Sequence, residues 1–198
     1  MYTPKSDPME YLIIVFSAIF INNIVLSRFL GICPFLGVSK GYSTALGMGM
    51  AVIFVMTIAT IITYLLMHFV LVPFGVTYLQ TVSYILIIAF LVQVVEIVLK
   101  KVSNDLYQSL GVFLPLITTN CAILGVAILV IQKELSLLGS VLFAVGNGLG
   151  FTLAIVLFAS LREQLDIADL PPAMKGVPAA LLVASILAMA FMGFAGIV

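Results

Sequence analysis

Cys33-Pro34-Phe35-Leu36-Gly37-Val38 and Cys121-Ala122-Ile123-Leu124-Gly125-Val126 repeat one phrase, Cys-x-x-Leu-Gly-Val, and contain the only two cysteines of the 198-residue chain. An offset of 88 residues carries Cys33, Leu36, Gly37 and Val38 onto Cys121, Leu124, Gly125 and Val126. Each phrase interrupts a long apolar run and lies beside helix-breaking residues. Gly31, Pro34 and Gly37 surround the first; Pro115, Thr118-Thr119-Asn120 and Gly125 surround the second. Proline removes a backbone hydrogen bond and glycine admits non-helical dihedrals. The repeat therefore points to two related halves, each with one thiol at a break in an apolar helix. A free cysteine is usually a small core residue, but the pairing of both phrase and break argues for chemistry. Two thiolates are half of what an iron–sulfur cluster needs. Zinc also accepts thiolates but carries no electrons.

Composition sets the solvent. The chain is 64% hydrophobic and 8% charged, with mean hydropathy +1.33. That ratio leaves too little charge for a water-facing surface, so the chain reads as an all-α integral membrane protein forming one transmembrane domain over residues 1–198. Formal net charge is zero, which excludes a basic footprint for nucleic acid. One cysteine per half is no disulfide framework. Residues 1–8 are polar and read as a tail; they lack the basic region and cleavage site of a signal peptide.

Apolar runs fall at residues 11–26, 45–72, 82–99, 110–131, 137–161 and 177–198. A spanning helix needs roughly 20 apolar residues, which predicts six transmembrane helices. The first is short unless it continues through 29–38, and the second is long enough to tilt or project from the lipid. Ser103-Asn104-Asp105 is the expected cap of the fourth. Lys5 and Lys133 fall on one side of the membrane. Arg28, Lys40, Lys100, Lys101, Arg162 and Lys175 fall on the other. The positive-inside rule then places both termini outside. With three spans in each half (residues 9–100 and 101–198), the halves have opposite topology. Inverted repeats put their working site near the bilayer midplane, between discontinuous helices of matching position. Spans one and four are those helices here, broken at the cysteine segments.

Other polar residues have more ordinary readings. Arg28 and Glu96 read as interfacial charges, with a place beside an ion path or redox centre as the functional alternative. Asn22-Asn23 reads as interhelical polar contact, and Gly47-Met48-Gly49 and Gly146-Asn147-Gly148-Leu149-Gly150 as close helix approaches. Neither glycine cluster follows a strand, so neither is a dinucleotide fingerprint. His68 reads as interfacial. No nucleophilic triad, paired-carboxylate site or phosphate loop is visible, so the chain alone has no complete catalytic site.

Asn22-Asn23, residues 29–40 (Phe-Leu-Gly-Ile-Cys-Pro-Phe-Leu-Gly-Val-Ser-Lys), residues 114–126 (Leu-Pro-Leu-Ile-Thr-Thr-Asn-Cys-Ala-Ile-Leu-Gly-Val) and the C-terminal Phe191-Met192-Gly193-Phe194 resemble the A-subunit family of the Rnf electron-transport complex. The sister family, the E subunit of sodium-translocating NADH:quinone reductase, usually has Glu-Asn and Cys-Thr-Phe where this chain has Asn22-Asn23 and Cys33-Pro34-Phe35. The resemblance implies a six-span subunit of the bacterial or archaeal cytoplasmic membrane. It implies a homologous, oppositely oriented partner, the E subunit of Rnf, with which the chain shares one intramembrane [2Fe-2S] cluster. Cys33 and Cys121 match that family's cluster ligands. Flavin, NAD and ferredoxin sites would lie on other subunits. The complex would pass electrons between ferredoxin and NAD, coupled to sodium or proton translocation. Within that frame, backbone carbonyls near Thr118, Thr119 and Asn120 are expected ion contacts, and Gly37 and Gly125 are expected gating points. Two rivals belong to other classes: a metal-free secondary transporter with inverted repeats, and a structural subunit with inert thiols.

Overall fold

The computed structural model describes residues 8–39, 41–102, 116–117, 119–167, 171 and 175–193. The expected cap at Ser103-Asn104-Asp105, the polar tail before Pro8 and Thr118 lie outside the described residues. The described chain is all-helical. Helix α1 (Pro8–Phe16) runs into a π-helical turn, Ser17–Ile21, and α2 is the short helix Ile32–Val38. Helix α3 (Tyr42–Leu66) continues through a π-helical turn (Met67–Leu71) to Phe74. Then follow α4 (Gln80–Val102), α5 (Cys121–Gln132), α6 (Leu137–Ile167) and α7 (Val177–Met192).

Three stretches among the described residues are long and apolar enough to cross a membrane: Tyr42–Phe74, Thr77–Ile97 and Leu137–Leu165. Three shorter apolar helices, Tyr11–Ile21, Cys121–Gln132 and Val177–Met192, occupy the remaining predicted runs. The 33 residues of Tyr42–Phe74 extend about 50 Å at 1.5 Å per residue, well beyond a hydrocarbon core of about 30 Å. That helix must therefore tilt or emerge, as its length in sequence predicts.

The core forms where α3 and α6 cross antiparallel. Buried residues of α3 recur at helical spacing: Ala45, Met48, Gly49, Val52, Val55, Met56, Ala59, Thr60 and Thr63. That is one apolar stripe, and it meets the glycine cluster of α6. A methyl group added at Gly49 would lie 2.5 Å from the Thr152 side chain, and one at Gly148 would lie 2.9 Å from Ile53. Lipid supplies no hydrophobic driving force between helices, so this backbone approach contributes the dispersion contact that holds them. The hydroxyls that enter the interface stay satisfied. Thr60 donates to the Met56 carbonyl at 2.8 Å, Thr63 to Ala59 at 2.7 Å and Thr152 to Gly148 at 2.8 Å.

The contacts of α6 fix the depth of the first span. A methyl at Gly139 would lie 3.8 Å from the Tyr11 ring, and one at Gly146 3.1 Å from the Ala18 Cβ. Asn23 Nδ2 donates to the Gly150 carbonyl at 2.9 Å. Phe35 stacks on Phe158 with ring centroids 4.3 Å apart, and Arg162 reaches the Leu36 carbonyl at 3.0 Å. Residues 11–39 thus travel beside α6 along its length, in the same direction. They form one discontinuous segment rather than a short span followed by a loop. This answers the shortness of the 11–26 run: the span continues through α2, as it must if the run is to cross.

Candidate functional site

The first break begins at Asn23. Its side chain is fully buried and uses both ends. Nδ2 donates to the Ile19 and Gly150 carbonyls at 3.1 and 2.9 Å; Oδ1 accepts from the Val25 and Leu26 amides at 3.1 and 3.3 Å. One carboxamide thus closes the end of one helical piece, joins it to α6 and caps the turn that follows. Irregular backbone at membrane depth is tolerated only when protein satisfies it, and Ile24, Val25 and Leu26 are buried beside it. The interhelical role expected of Asn22-Asn23 belongs to Asn23. Asn22 Nδ2 instead donates locally, to the Ser17 hydroxyl at 3.1 Å.

The backbone takes left-handed dihedrals at Phe29 (φ 56°) and Gly31 (φ 84°), and α2 starts. Gly37 and Gly125, expected to supply the irregular backbone, lie inside α2 and α5 instead. The left-handed positions precede the cysteine rather than follow it. Gly31 has two reasons to be glycine. Its φ disfavours any side chain, and an added methyl would lie 3.0 Å from the Phe151 ring, 3.1 Å from the Ala122 Cβ and 3.2 Å from Asn120 Oδ1.

That contact set is where the two breaks meet. Asn120 caps α5, its Oδ1 accepting from the Ala122 amide at 3.0 Å. The Gly31 amide donates to Cys121 Sγ at 2.9 Å, across 90 residues of sequence. From this junction α2 runs toward Arg162, while α5 runs the other way, to where Lys133 Nζ lies 4.9 Å over the Phe143 ring. Two helix N-termini therefore converge, and each carries a cysteine in its first turn: Cys33 is the second residue of α2 and Cys121 the first of α5. The positive ends of two helix dipoles face this point, an environment suited to negative charge. The level is set by Phe151, which has 14 residues of the Leu137–Leu165 span on either side. The junction thus lies midway along the most buried of the three long apolar stretches.

Cys33 is exposed on this chain and Cys121 is half-buried. Among the described residues, no three His, Cys, Asp or Glu side chains gather as a metal site. The donor chemistry fits half of a four-thiolate cluster, with one N–H already directed at a sulfur. Of the residues expected on an ion path, Asn120 is buried and Thr119 is exposed. The Asn120 carbonyl accepts from the Ile123 amide at 3.1 Å.

One feature had no distinct signal in sequence. Arg162, readable only as a loop-end cation, donates to the Leu36 carbonyl at 3.0 Å and the Ser39 hydroxyl at 2.8 Å. It thereby closes the C-terminal end of α2, where carbonyls lack partners and a cation is favoured. Its guanidinium lies 5.8 Å over the Phe158 ring, the same ring that stacks on Phe35. Arg28 does not end the first span. It stands in the break between Asn23 and Gly31 and is exposed, so a charge at this depth faces outward from the isolated chain. His68 is exposed near the end of the long second helix and stacks on Tyr64 at 6.2 Å. An apolar cavity of about 210 Å³ opens between the break and α7, lined by residues including Phe29, Phe35, Leu181 and Ala188.

The family described as "Rnf-Nqr subunit, membrane protein" matches residues 11–198. The chain is 58% identical over 188 residues to the A subunit of the Na(+)-translocating ferredoxin:NAD(+) oxidoreductase complex of Acetobacterium woodii, covering 95% of this chain and 98% of that one. It is 57% identical to the A subunit of the ion-translocating oxidoreductase complex of Syntrophotalea carbinolica, covering 94% and 97%. It is 49% identical to the protein of the same name in Vibrio cholerae serotype O1 strain El Tor Inaba N16961, covering 96% and 98%. A family match across nearly the whole chain, two breaks meeting at mid-span and a cysteine at each make this chain a member of the Rnf-Nqr family of membrane subunits.

Proposed function

We propose that the chain is the A-type membrane subunit of an ion-translocating ferredoxin:NAD oxidoreductase complex, with Cys33 and Cys121 supplying two of the four ligands of a [2Fe-2S] cluster. A homologous subunit of opposite orientation supplies the other two. The observation that carries this reading is the junction itself: two antiparallel broken segments whose N-terminal turns bring both cysteine segments together at mid-span, joined by the Gly31 N–H to Cys121 Sγ bond. When bound, the cluster would act as a one-electron carrier within the membrane. The protein's part is to present two thiols, to direct an N–H at one sulfur and to satisfy the irregular backbone through Asn23 and Asn120. The outward face of Cys33 and the exposed Arg28 are consistent with a partner covering this side. Flavin, NAD and ferredoxin belong to other subunits.

Expressed alone, the chain should bind no stable [2Fe-2S] centre; co-expressed with its homologous partner, it should give one cluster per heterodimer by iron and sulfide analysis. A colourless, iron-free heterodimer would remove the reading and favour a metal-free transporter.

The orientation follows from charge. Lys133 and Arg162 sit toward opposite ends of α6, and the side containing Arg162 holds most of the cations. Both termini then lie on the outer side of the bacterial cytoplasmic membrane. A reporter fused after Val198 should work only if it is active in the periplasm. Activity from a cytoplasm-only reporter would reverse the assignment.

Coupling to sodium or proton movement belongs at the backbone around the junction, with Thr118, Thr119 and Asn120 near the ion path and Gly37 and Gly125 as gating points. The two glycines are not equivalent. A methyl at Gly125 would come within 2.6 Å of Leu30 Cδ1, in the first break, whereas one at Gly37 would lie an ordinary 3.5 Å from Leu116 Cδ1. Gly125→Ala should therefore lower ion uptake per electron, measured in the same vesicles, more than Gly37→Ala does. An unchanged ratio in both variants would leave these glycines with a packing role alone.

A further inference from the structure

Asn120 holds a buried donor that nothing among the described residues uses. Its side chain is 3% exposed, and Nδ2 has no hydrogen-bond partner. Turning the amide over does not solve this, because Oδ1 is committed to the Ala122 amide at 3.0 Å. The contrast with Asn23 is direct: there, Nδ2 reaches two carbonyls. Serine or threonine would cap α5 equally well with one hydroxyl donor in place of the two N–H groups of the carboxamide. Buried polar groups are paired in native proteins, and an exception calls for an absent acceptor. A sodium ion is the wrong complement for an N–H group. An electron-rich sulfur is the right one, and Asn120 is adjacent in sequence to Cys121, in the same contact set that brings Gly31 N to Cys121 Sγ.

We propose that Asn120 Nδ2 donates an N–H···S hydrogen bond to a sulfur of the metal centre that Cys33 and Cys121 half-build, and thereby raises its reduction potential. The inference rests on the cluster assignment above. Hydrogen bonds to the sulfurs are one of the levers that set cluster potential. Reduction adds negative charge to those sulfurs, so a donor stabilises the reduced state more than the oxidised state. Asn120 is on this account a positioning and tuning residue; the two cysteines remain the ligands.

The test uses the whole complex. Asn120→Ser retains the helix cap, stays neutral and removes the carboxamide N–H groups, leaving only a hydroxyl on a side chain one atom shorter. Paramagnetic resonance under potentiometric control should show the cluster at normal iron content with a more negative midpoint. The reduced-to-oxidised ratio at fixed potential should fall about tenfold, which is about 59 mV for one electron. Exchange into heavy water should reveal one fewer exchangeable-proton coupling in the variant than in the wild type. Full iron content with an unchanged midpoint and unchanged couplings would overturn the inference while leaving the cluster assignment intact. If the variant fails to assemble, the wild-type complex decides. With asparagine side-chain amides carrying a heavy-nitrogen label, pulsed resonance of the reduced cluster should detect a weak nitrogen coupling, and its absence overturns the proposal. A wild-type complex without any cluster overturns both this inference and the assignment on which it rests.

Discussion

Cys33→Ser and Cys121→Ser should each abolish, or reduce to a small remnant, the paramagnetic signal of the reduced cluster in the assembled complex. A serine oxygen is a harder and poorer ligand for a cluster iron than a thiolate, and this chain has no third cysteine to substitute. The two variants should differ in a second respect. Cys121 Sγ accepts from the Gly31 amide at 2.9 Å. A serine hydroxyl can still accept there, so Cys121→Ser should preserve the junction and the heterodimer while losing the metal. Cys33 faces outward, so its replacement should leave the fold of this chain unchanged. The informative pattern is therefore loss of signal with retained assembly, read by resonance and by size-exclusion of the same sample. A full signal in both variants would place the ligands elsewhere and return the thiols to the status of small core residues.

Gly31→Ala should be the most damaging substitution at the junction. Left-handed backbone costs a residue with a Cβ about 1–2 kcal/mol. The added methyl would meet the Phe151 ring at 3.0 Å, the Ala122 Cβ at 3.1 Å and Asn120 Oδ1 at 3.2 Å, and overpacking of this kind costs about 1–3 kcal/mol. Phe151 is fully buried, so the strain has little room to relax. Together these terms give about 2–5 kcal/mol of destabilisation. Gly75 isolates the first term. It also has a positive φ, 66°, but an added methyl there meets nothing within 4 Å, so Gly75→Ala should lose only about 1–2 kcal/mol. Denaturant unfolding of the purified complex compares the two. Equal losses would show that the breaks do not pack tightly against one another.

What depends on local composition and periodicity was legible along the chain. Low charge and long apolar runs specify the bilayer as solvent, because the cost of burying charge in hydrocarbon is a property of each residue. The helix-breaking residues around Cys33 and Cys121 announced interruptions for an equally local reason: Pro, Gly and Asn alter what the backbone can do next to them. Even the glycine cluster at residues 146–150 could be read as a close approach, although not that Ile53, Ala18 and Asn23 would be the partners. Packing in three dimensions selected which of the breaking residues carries the unusual geometry. Gly37 and Gly125 are helical, while Phe29 and Gly31 take the positive φ; Gly31 does so where Ala122 of α5 and Phe151 leave space for backbone alone. Packing also set depth and pairing. The bond from Gly31 to Cys121 spans 90 residues and that from Arg162 to Leu36 spans 126. No local pattern encodes a contact between groups so far apart in the chain; it exists only once α6 has aligned both broken segments along its own axis.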